Sequence, residues 1–205
     1  MNVELEQNNY LYVPNFLTAE KADNLAQAFF IAQRDGHLVR DQQVQTAQSA
    51  FNLLPCVEML VKMLPQVREL CGEDVLPTCT YGRIYSKGNV LGRHSDRDAC
   101  EISLTVTLQK DETDWPIWIQ KPNGEEISLD LNVGDAMVYL GCRADHWREA
   151  YQGTMQTQAF FHYVCVNGYR AIDYVYANGD RTVQYFNNEY AKTAFTSNKN
   201  KDCVD

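Results

Sequence analysis

The sequence lacks the features that would place this chain in a membrane or on nucleic acid. No apolar run approaches the roughly 18 residues that span a bilayer. The N-terminus, MNVELEQNNY, has neither the basic nor the apolar region of a signal peptide. Lysine and arginine number 18 against 27 acidic residues, and the resulting net charge of −9 argues against a broad phosphate-binding surface. We therefore expect a cytoplasmic protein without membrane or broad nucleic-acid contacts.

Several short functional motifs are also missing. The seven cysteines contain no CxxC pair, and neither a Walker-type loop nor a GxSxG elbow occurs. An odd number of scattered cysteines favours reduced, mostly buried thiols over a disulfide framework or a zinc–thiolate site. Candidate chemistry therefore rests on the histidines and carboxylates.

The spacing of apolar residues is helical in the first part of the chain and alternates with a period of two in the second. Periodicity and capping predict a first strand within LYVPNFLT, a helix from the Thr18 cap to about Gln33, and a helical stretch from about Cys56 to Gly72 that Pro65 can divide. From Thr78 the period is two, with strand candidates in CTYGRIYS, EISLTVTLQK, WPIWIQK, EEISLDL, DAMVYLG and MQTQAFFHYVCV. Two helical segments followed by many short strands predict an α+β chain with a sandwich or barrel core.

No linker or internal repeat divides the chain, so we expect one domain over residues 1–205. Its core would occupy about residues 10–166, and a tyrosine-rich C-terminal extension would follow over 167–205, with a hairpin near Asn178-Gly179 and a frayed end. The polar segment 37–50 is ambiguous in structure and is a candidate substrate lid.

Two histidines and one carboxylate stand beside apolar strands, the first histidine and the carboxylate just before the run ISLTVTLQ. In a strand, residues i and i+2 point to the same face, so His94 and Asp96 can converge on one centre, and His146 follows another apolar strand about fifty residues later. Two histidines and a carboxylate form the facial triad of non-heme Fe(II), whereas zinc more often takes cysteines or a fourth protein ligand. A surface histidine beside a turn aspartate remains the alternative.

These segments resemble the Fe(II)/2-oxoglutarate-dependent oxygenases, in particular their prolyl-4-hydroxylase-like branch. YSKGNVLGRHSD is similar to that branch's Tyr-x-x-Gly…His-x-Asp strand entry, GDAMVYLG before His146 to its second half, and LYVPNFLTAEKADNLAQAF to its opening strand and helix. The resemblance covers about residues 10–166. It implies a double-stranded β-helix (jelly roll) with N-terminal helices buttressing one sheet, and His94, Asp96 and His146 as iron ligands.

The likeness ends at the residue that would hold the co-substrate. Family members usually carry Arg or Lys on the last barrel strand, where it pairs with the far carboxylate of 2-oxoglutarate, but AYQGTMQTQAFF contains neither. Neutral Gln156 and Gln158 stand near that position. Arg148 shares the interior face of the second histidine and is the main substitute, unless it pairs with Glu149 or Asp145 at the surface. A different 2-oxo acid, or a pocket without this clamp, also remains open.

Four further residues stand in or near the expected site. Tyr85 matches a tyrosine that helps hold 2-oxoglutarate in the branch, and Arg83 shares its face as a second candidate cation. His162, within FFHYV, is interpreted as a packed core histidine. Trp147, which adjoins the second histidine, can border the cavity.

The resemblance implies an enzyme that uses Fe(II), O₂ and 2-oxoglutarate, with ascorbate as a further candidate cofactor, to hydroxylate an unactivated C–H bond. A prolyl residue of a peptide or protein is the first expected substrate, and a small molecule is the other. Two rival hypotheses remain: a non-enzymatic barrel, and a cupin-like metal-binding barrel that needs no 2-oxo acid.

Overall fold

The computed structural model of this chain describes residues 1–171. Its helices are α1 (Val3–Asn8), α2 (Ala19–Arg34), α3 (Leu54–Lys62), α4 (Leu64–Cys71) and the single turn α5 (Tyr169–Ala171). Its strands are β1 (Tyr10–Val13), β2 (Val39–Arg40), β3 (Gln48–Phe51), β4 (Val75–Ser86), β5 (Leu91–His94), β6 (Ile102–Lys110), β7 (Ile117–Gln120), β8 (Glu126–Leu129), β9 (Ala136–Tyr139), β10 (His146–Arg148) and β11 (Met155–Cys165). Most of the predicted extension, including Asn178-Gly179 and the chain end, lies outside these residues. Within residues 1–171, no helix is long and apolar enough to cross a bilayer.

The strands form two antiparallel sheets. The large sheet has the order β1-β9-β6-β11-β4-β3-β2, and the small sheet has the order β5-β10-β7-β8. Side chains from both sheets meet between them: Ile117 and Ile119 of β7 pack with Met137 and Tyr139 of β9. This is the double-stranded β-helix, so the predicted fold class is confirmed.

The helices cover the outer face of the large sheet. Thr18 begins α2 as predicted, because its hydroxyl accepts the backbone N–H of Lys21. Phe29 of α2 lies directly against β4 at Gly82, where a Cβ would stand 2.1 Å from the phenyl ring. Only glycine permits this approach, so one face of β4 is committed to the helices and the other to the space between the sheets.

Alternation along β4 and β11 separates those two faces. Ile84, Phe161 and Tyr163 belong to the cluster beneath the helices, whereas Tyr81, Tyr85 and Phe160 belong to a separate interior cluster. A large sheet that is covered on one side by helices and on the other by a small sheet leaves an enclosed, partly polar interior. The candidate site lies there.

The structure departs from the predicted elements mainly in the short ones. The second helical stretch does divide, at Met63, and it begins at Leu54. Two- to four-residue strands such as β2, β3 and β5, and helix α1, were not predicted, because so few residues establish no period. Five of the described cysteines are free thiols, Cys56, Cys71, Cys100, Cys142 and Cys165. Cys79 is disulfide-bonded, so the expectation of reduced thiols throughout was wrong there.

Candidate metal centre

Neighbouring strands of the small sheet bring the two candidate histidines together. β5 ends at His94, β10 begins at His146, and the two residues are direct partners in the antiparallel pairing. Their ring centroids lie 4.3 Å apart. Strand pairing thus brings together two histidines that are about fifty residues apart in sequence.

Asp96 completes the cluster from the loop after β5. Its backbone N–H donates to the Gly141 carbonyl at 2.8 Å, which fixes the loop against the strand that precedes the second histidine. Its Oδ1 lies 3.7 Å from Nε2 of His94 and 3.6 Å from Nε2 of His146. The three ligand atoms all lie within 4.8 Å of one another, which is the spacing of donors around one metal ion.

Backbone carbonyls orient both imidazoles. Nδ1 of His94 lies 2.8 Å from the Gly92 carbonyl, and Nδ1 of His146 lies 2.9 Å from the Ala144 carbonyl. A carbonyl can only accept, so each Nδ1 carries the proton and each Nε2 turns a free lone pair towards Asp96. Burial, together with the neighbouring imidazole, lowers the pKa of His94 to about 4, so this ring is a neutral ligand at pH 7.

The carboxylate of Asp96 is held in its ionised form. Burial alone would raise its pKa, but the surrounding histidines and the Ser103 hydroxyl outweigh burial and leave the pKa below its ordinary value. Two imidazoles and one carboxylate, with both Nε2 atoms directed at the same carboxylate oxygen, fit a facially bound Fe(II). The predicted ligand set is therefore compatible with the metal in geometry and in charge.

A cavity extends from these three residues into the space between the sheets. It is lined by Gln43, Tyr81, Arg83, Leu91, His94, Asp96, Arg97, Cys100, Ile117, Tyr139, His146, Phe160 and His162. Gln43 comes from the predicted lid segment, so this segment does reach the site. Trp147 does not line the cavity: its ring stacks on Trp118 at 5.9 Å, beneath the guanidinium of Arg93.

Arg83 reaches the cavity, but its guanidinium is occupied by protein groups. Nε donates to Asp41 at 2.6 Å, one terminal nitrogen donates to Tyr85 at 3.2 Å and the other to Gln43 at 2.5 Å. The aspartate also accepts the Tyr81 hydroxyl at 2.5 Å. This buried network ties the segment 41–44 to β4.

Arg148 is buried against Trp115, is not among the residues that line the cavity, and has no carboxylate partner in the described chain. It is 2 % exposed, which rules out the surface pairing with Glu149 or Asp145. One terminal nitrogen donates to the Trp115 carbonyl and the other, Nη2, has no hydrogen-bond partner within residues 1–171. Its guanidinium lies 4.7 Å from the centre of the Trp115 ring. Burial lowers the pKa of Arg148 to about 10, so the side chain stays charged at pH 7.

The remaining candidates, Tyr85, Gln156 and Gln158, are buried in strands β4 and β11. Tyr85 contacts the Trp115 ring at 4.8 Å, and Gln156 is its direct partner across β4 and β11. Oε1 of Gln156 has no hydrogen-bond partner in the part of the chain that the structure describes. Gln158, in contrast, donates to Thr107 and accepts from Thr105, so both ends of its amide are satisfied. Of the two glutamines, only the first has unused hydrogen-bonding capacity.

The sequence did not reveal the support beneath Asp96. Ser103 of β6 and His162 of β11 are buried, and their side chains are hydrogen-bonded to each other next to the carboxylate. His162 is indeed packed in the interior, as predicted, but it also lines the cavity. A serine within an apolar strand, ISLTVTLQ, is a weak signal, and the structure alone shows its partner.

Comparison with known proteins places the fold. No family model matches the chain, and no curated protein matches its sequence. A prolyl-4-hydroxylase from Pseudomonas putida is similar over 78% of this chain and 95% of its own, with a TM-score of 0.61 and 18% identity. A Trichoplax adhaerens prolyl hydroxylase, solved with a hypoxia inducible factor peptide, covers 78% and 86%, with a TM-score of 0.65 and 12% identity. HygX from Streptomyces hygroscopicus, solved with nickel, 2-oxoglutarate and hygromycin B, covers 80% and 86%, with a TM-score of 0.64 and 11% identity.

Proposed function

We propose that this chain is an Fe(II)- and 2-oxoglutarate-dependent oxygenase that hydroxylates an unactivated C–H bond. The observation that carries the proposal is the convergence of His94, Asp96 and His146, with both Nδ1 atoms held by carbonyls and both Nε2 lone pairs facing one carboxylate oxygen. The shared fold with the oxygenases compared above supports it.

The metal would supply the redox chemistry, and the chain would supply position. His94, Asp96 and His146 would hold Fe(II), and the bound metal would supply the O₂ chemistry that converts 2-oxoglutarate to succinate and CO₂ and places the second oxygen atom in the substrate C–H bond. Three protein ligands would leave the remaining coordination positions for co-substrate and O₂. The apolar walls, Leu91, Ile117 and Phe160, keep water from the reacting atoms.

Arg148 is the proposed anchor for the far carboxylate of 2-oxoglutarate. A buried cation without an anion is unfavourable, and a carboxylate at Nη2 would remove that cost. Tyr85, which contacts the same Trp115 ring, is the neighbouring group whose hydroxyl would donate a further hydrogen bond to the carboxylate, whereas the unused atom of Gln156 is the acceptor Oε1 and cannot bond to a carboxylate. Arg83 is a weaker candidate because its donors are used by Asp41, Tyr85 and Gln43, and Gln158 is satisfied within the sheet.

The main substrate would enter beside the segment 37–50. Gln43 of this segment lines the cavity, and the buried Asp41 fixes the segment's base, so its contacts are suited to selecting a substrate. A prolyl residue of a peptide is the first substrate to test, because two of the similar structures are prolyl hydroxylases. A small molecule is the second, because hygromycin B is bound in HygX.

The test uses the full chain and a matched histidine control. Anaerobic Fe(II) and 2-oxoglutarate should give a weak visible charge-transfer band with the wild type and with His37→Ala, which alters an exposed loop histidine. His94→Ala should abolish both the band and the succinate formed in air, with ascorbate present to keep the iron reduced. Loss of one of three ligands removes the geometry that the band requires.

Metal content and succinate release separate the rival hypotheses. A wild type that retains iron but forms no succinate with 2-oxoglutarate would favour the cupin-like metalloenzyme. A wild type that retains no iron, with Asp96→Ala equally soluble and stable, would favour a non-enzymatic barrel. Either result would contradict the proposed oxygenase.

A further inference from the structure

A hydrogen-bonded chain runs from Asp96 into the large sheet. Oγ of Ser103 lies 2.9 Å from Oδ2 of Asp96 and 2.9 Å from Nδ1 of His162, and it also lies 3.1 Å from the Cys100 carbonyl. The serine is fully buried and the histidine is 5 % exposed, so water does not compete for these contacts. The other carboxylate oxygen, Oδ1, faces the two ligand histidines.

The protons available on Ser103 and His162 decide which group donates in each of these hydrogen bonds. Ser103 has one hydroxyl proton, and an ionised Oδ2 of Asp96 is the strongest acceptor within reach. The serine oxygen then offers a lone pair to His162, whose Nδ1 must carry the proton that bonds to it. The hydrogen bond from His162 to Ser103 thereby strengthens the hydrogen bond from Ser103 to the carboxylate.

The backbone leaves little room for another arrangement. A Cβ at Gly141 would lie 2.5 Å from Oδ2 of Asp96 and 2.8 Å from Oγ of Ser103. Tyr139 closes a further side, because its hydroxyl is hydrogen-bonded with Asp96 and Ser103. The carboxylate is thus enclosed by residues of β6, β9 and β11 as well as by its own loop.

We propose that Ser103 and His162 are positioning residues for the metal site: together they hold Oδ2 of Asp96 away from the ion and present Oδ1 alone as the ligand. This inference rests on the proposed function of the same site. A carboxylate that binds through one oxygen occupies one coordination position, whereas a carboxylate that swings to bind through both occupies two. The serine–histidine pair therefore preserves a position for the co-substrate or O₂.

The test is metal affinity, which does not depend on turnover. Co(II) is titrated into the metal-free full chain and followed by its visible absorption spectrum. Ser103→Ala and His162→Leu should each weaken binding by about tenfold and alter the spectrum, as expected for the loss of an outer-shell partner. Ser103→Thr keeps the hydroxyl and His162→Asn keeps a donor near Nδ1, so both should stay within about threefold of the wild type.

A matched control comes from the same strand as the histidine. Thr157 is fully buried and its hydroxyl has no hydrogen-bond partner, so Thr157→Val removes a buried hydroxyl without touching this chain. It should bind Co(II) like the wild type. Wild-type affinity and spectrum in Ser103→Ala and His162→Leu would overturn this inference while leaving the proposed function intact. Absence of Co(II) binding in the wild type, as in His94→Ala, would overturn both.

Discussion

Two buried arginines of this molecule have opposite surroundings. Arg83 on the large sheet lies against Asp41 and bonds to Tyr85 and Gln43, so every nitrogen of its guanidinium has a protein partner. Arg148 on the small sheet is as deeply buried, yet within residues 1–171 no carboxylate pairs with it and Nη2 bonds to nothing. The donors of the first arginine are all used by the protein's own residues, and the second keeps one donor unused.

This difference is the reason for proposing Arg148, rather than Arg83, as the ligand-binding arginine. A buried ion pair can be neutral or even unfavourable for stability relative to apolar residues, but removing one partner of an existing pair is costly. An unpaired buried cation is already in that costly condition, and a protein that keeps one commonly does so for function. Under the proposed function, Arg148 therefore gains its partner from the ligand, whereas Arg83 holds the segment 41–44 in place.

The largest expected loss of stability comes from removing Asp41, the partner of Arg83. Asp41→Ala should lower the free energy of unfolding by about 3–5 kcal/mol, because it leaves Arg83 charged and uncompensated in the interior. Urea denaturation followed by circular dichroism measures the change. Asp23→Ala, at an exposed position of α2, should change stability by no more than about 0.5 kcal/mol.

The pH dependence of the same pair provides a second measurement. Burial would raise the pKa of Asp41, but Arg83 and the hydrogen bonds from Tyr81 and Val44 outweigh it and leave the pKa below its ordinary value. A lowered folded-state pKa gives stability that is complete above the ordinary aspartate pKa and is lost as the pH falls through the folded one. The stability difference between the wild type and Asp41→Asn should therefore shrink in acid. A difference that grows in acid would contradict the pairing.

The next largest effect is expected at Arg148, where substitution should weaken ligand binding and leave the stability of the ligand-free protein unchanged or higher. Arg148→Met should weaken 2-oxoglutarate binding by about 100-fold, roughly 2.8 kcal/mol, measured by anaerobic calorimetry with Co(II) in the site. The affinity of Arg148→Lys for 2-oxoglutarate should lie between those of the wild type and Arg148→Met, because lysine keeps the charge but lacks the planar guanidinium. The ligand-free Arg148→Met protein should be at least as stable as the wild type, because no ion pair is broken.

Arg143 provides the control for this prediction. Arg143→Met removes an exposed arginine near the same strand and should leave 2-oxoglutarate affinity unchanged. Unchanged affinity in Arg148→Met, or a loss of stability as large as that of Asp41→Ala, would mean that the two arginines do not differ in role.

The sequence predicted the contacts that arise from local patterns. His94 and Asp96 are two residues apart, and the segments around them and around His146 carry the resemblance, so the three side chains that converge in the structure could be named from the sequence alone. The helix at Thr18 and the long strands followed from capping and periodicity for the same reason. The fold class needed little more than these elements in order.

Contacts between distant residues were not accessible. Asp41 and Arg83 are separated by 42 positions, and Ser103 and His162 by 59, and no local pattern links the members of either pair. Which of two interior arginines has a partner depends on how the loop 41–47 folds onto β4. Short strands such as β5 and β10 were missed for a related reason, since pairing with neighbouring strands defines them.

The smallest expected loss of stability is at the exposed Arg93. It measures how much an ion pair contributes to stability when solvent surrounds it. Arg93 contacts Glu126 at 2.5 Å and Asp145 at 3.0 Å and covers the ring of Trp147 at 4.5 Å, yet the whole group lies on the outer face of the small sheet. Arg93→Ala should cost no more than about 1 kcal/mol, because solvent screens both ion pairs. High salt should reduce even this difference in urea denaturation. A loss comparable to that of Asp41→Ala would show that burial is not what separates these arginines.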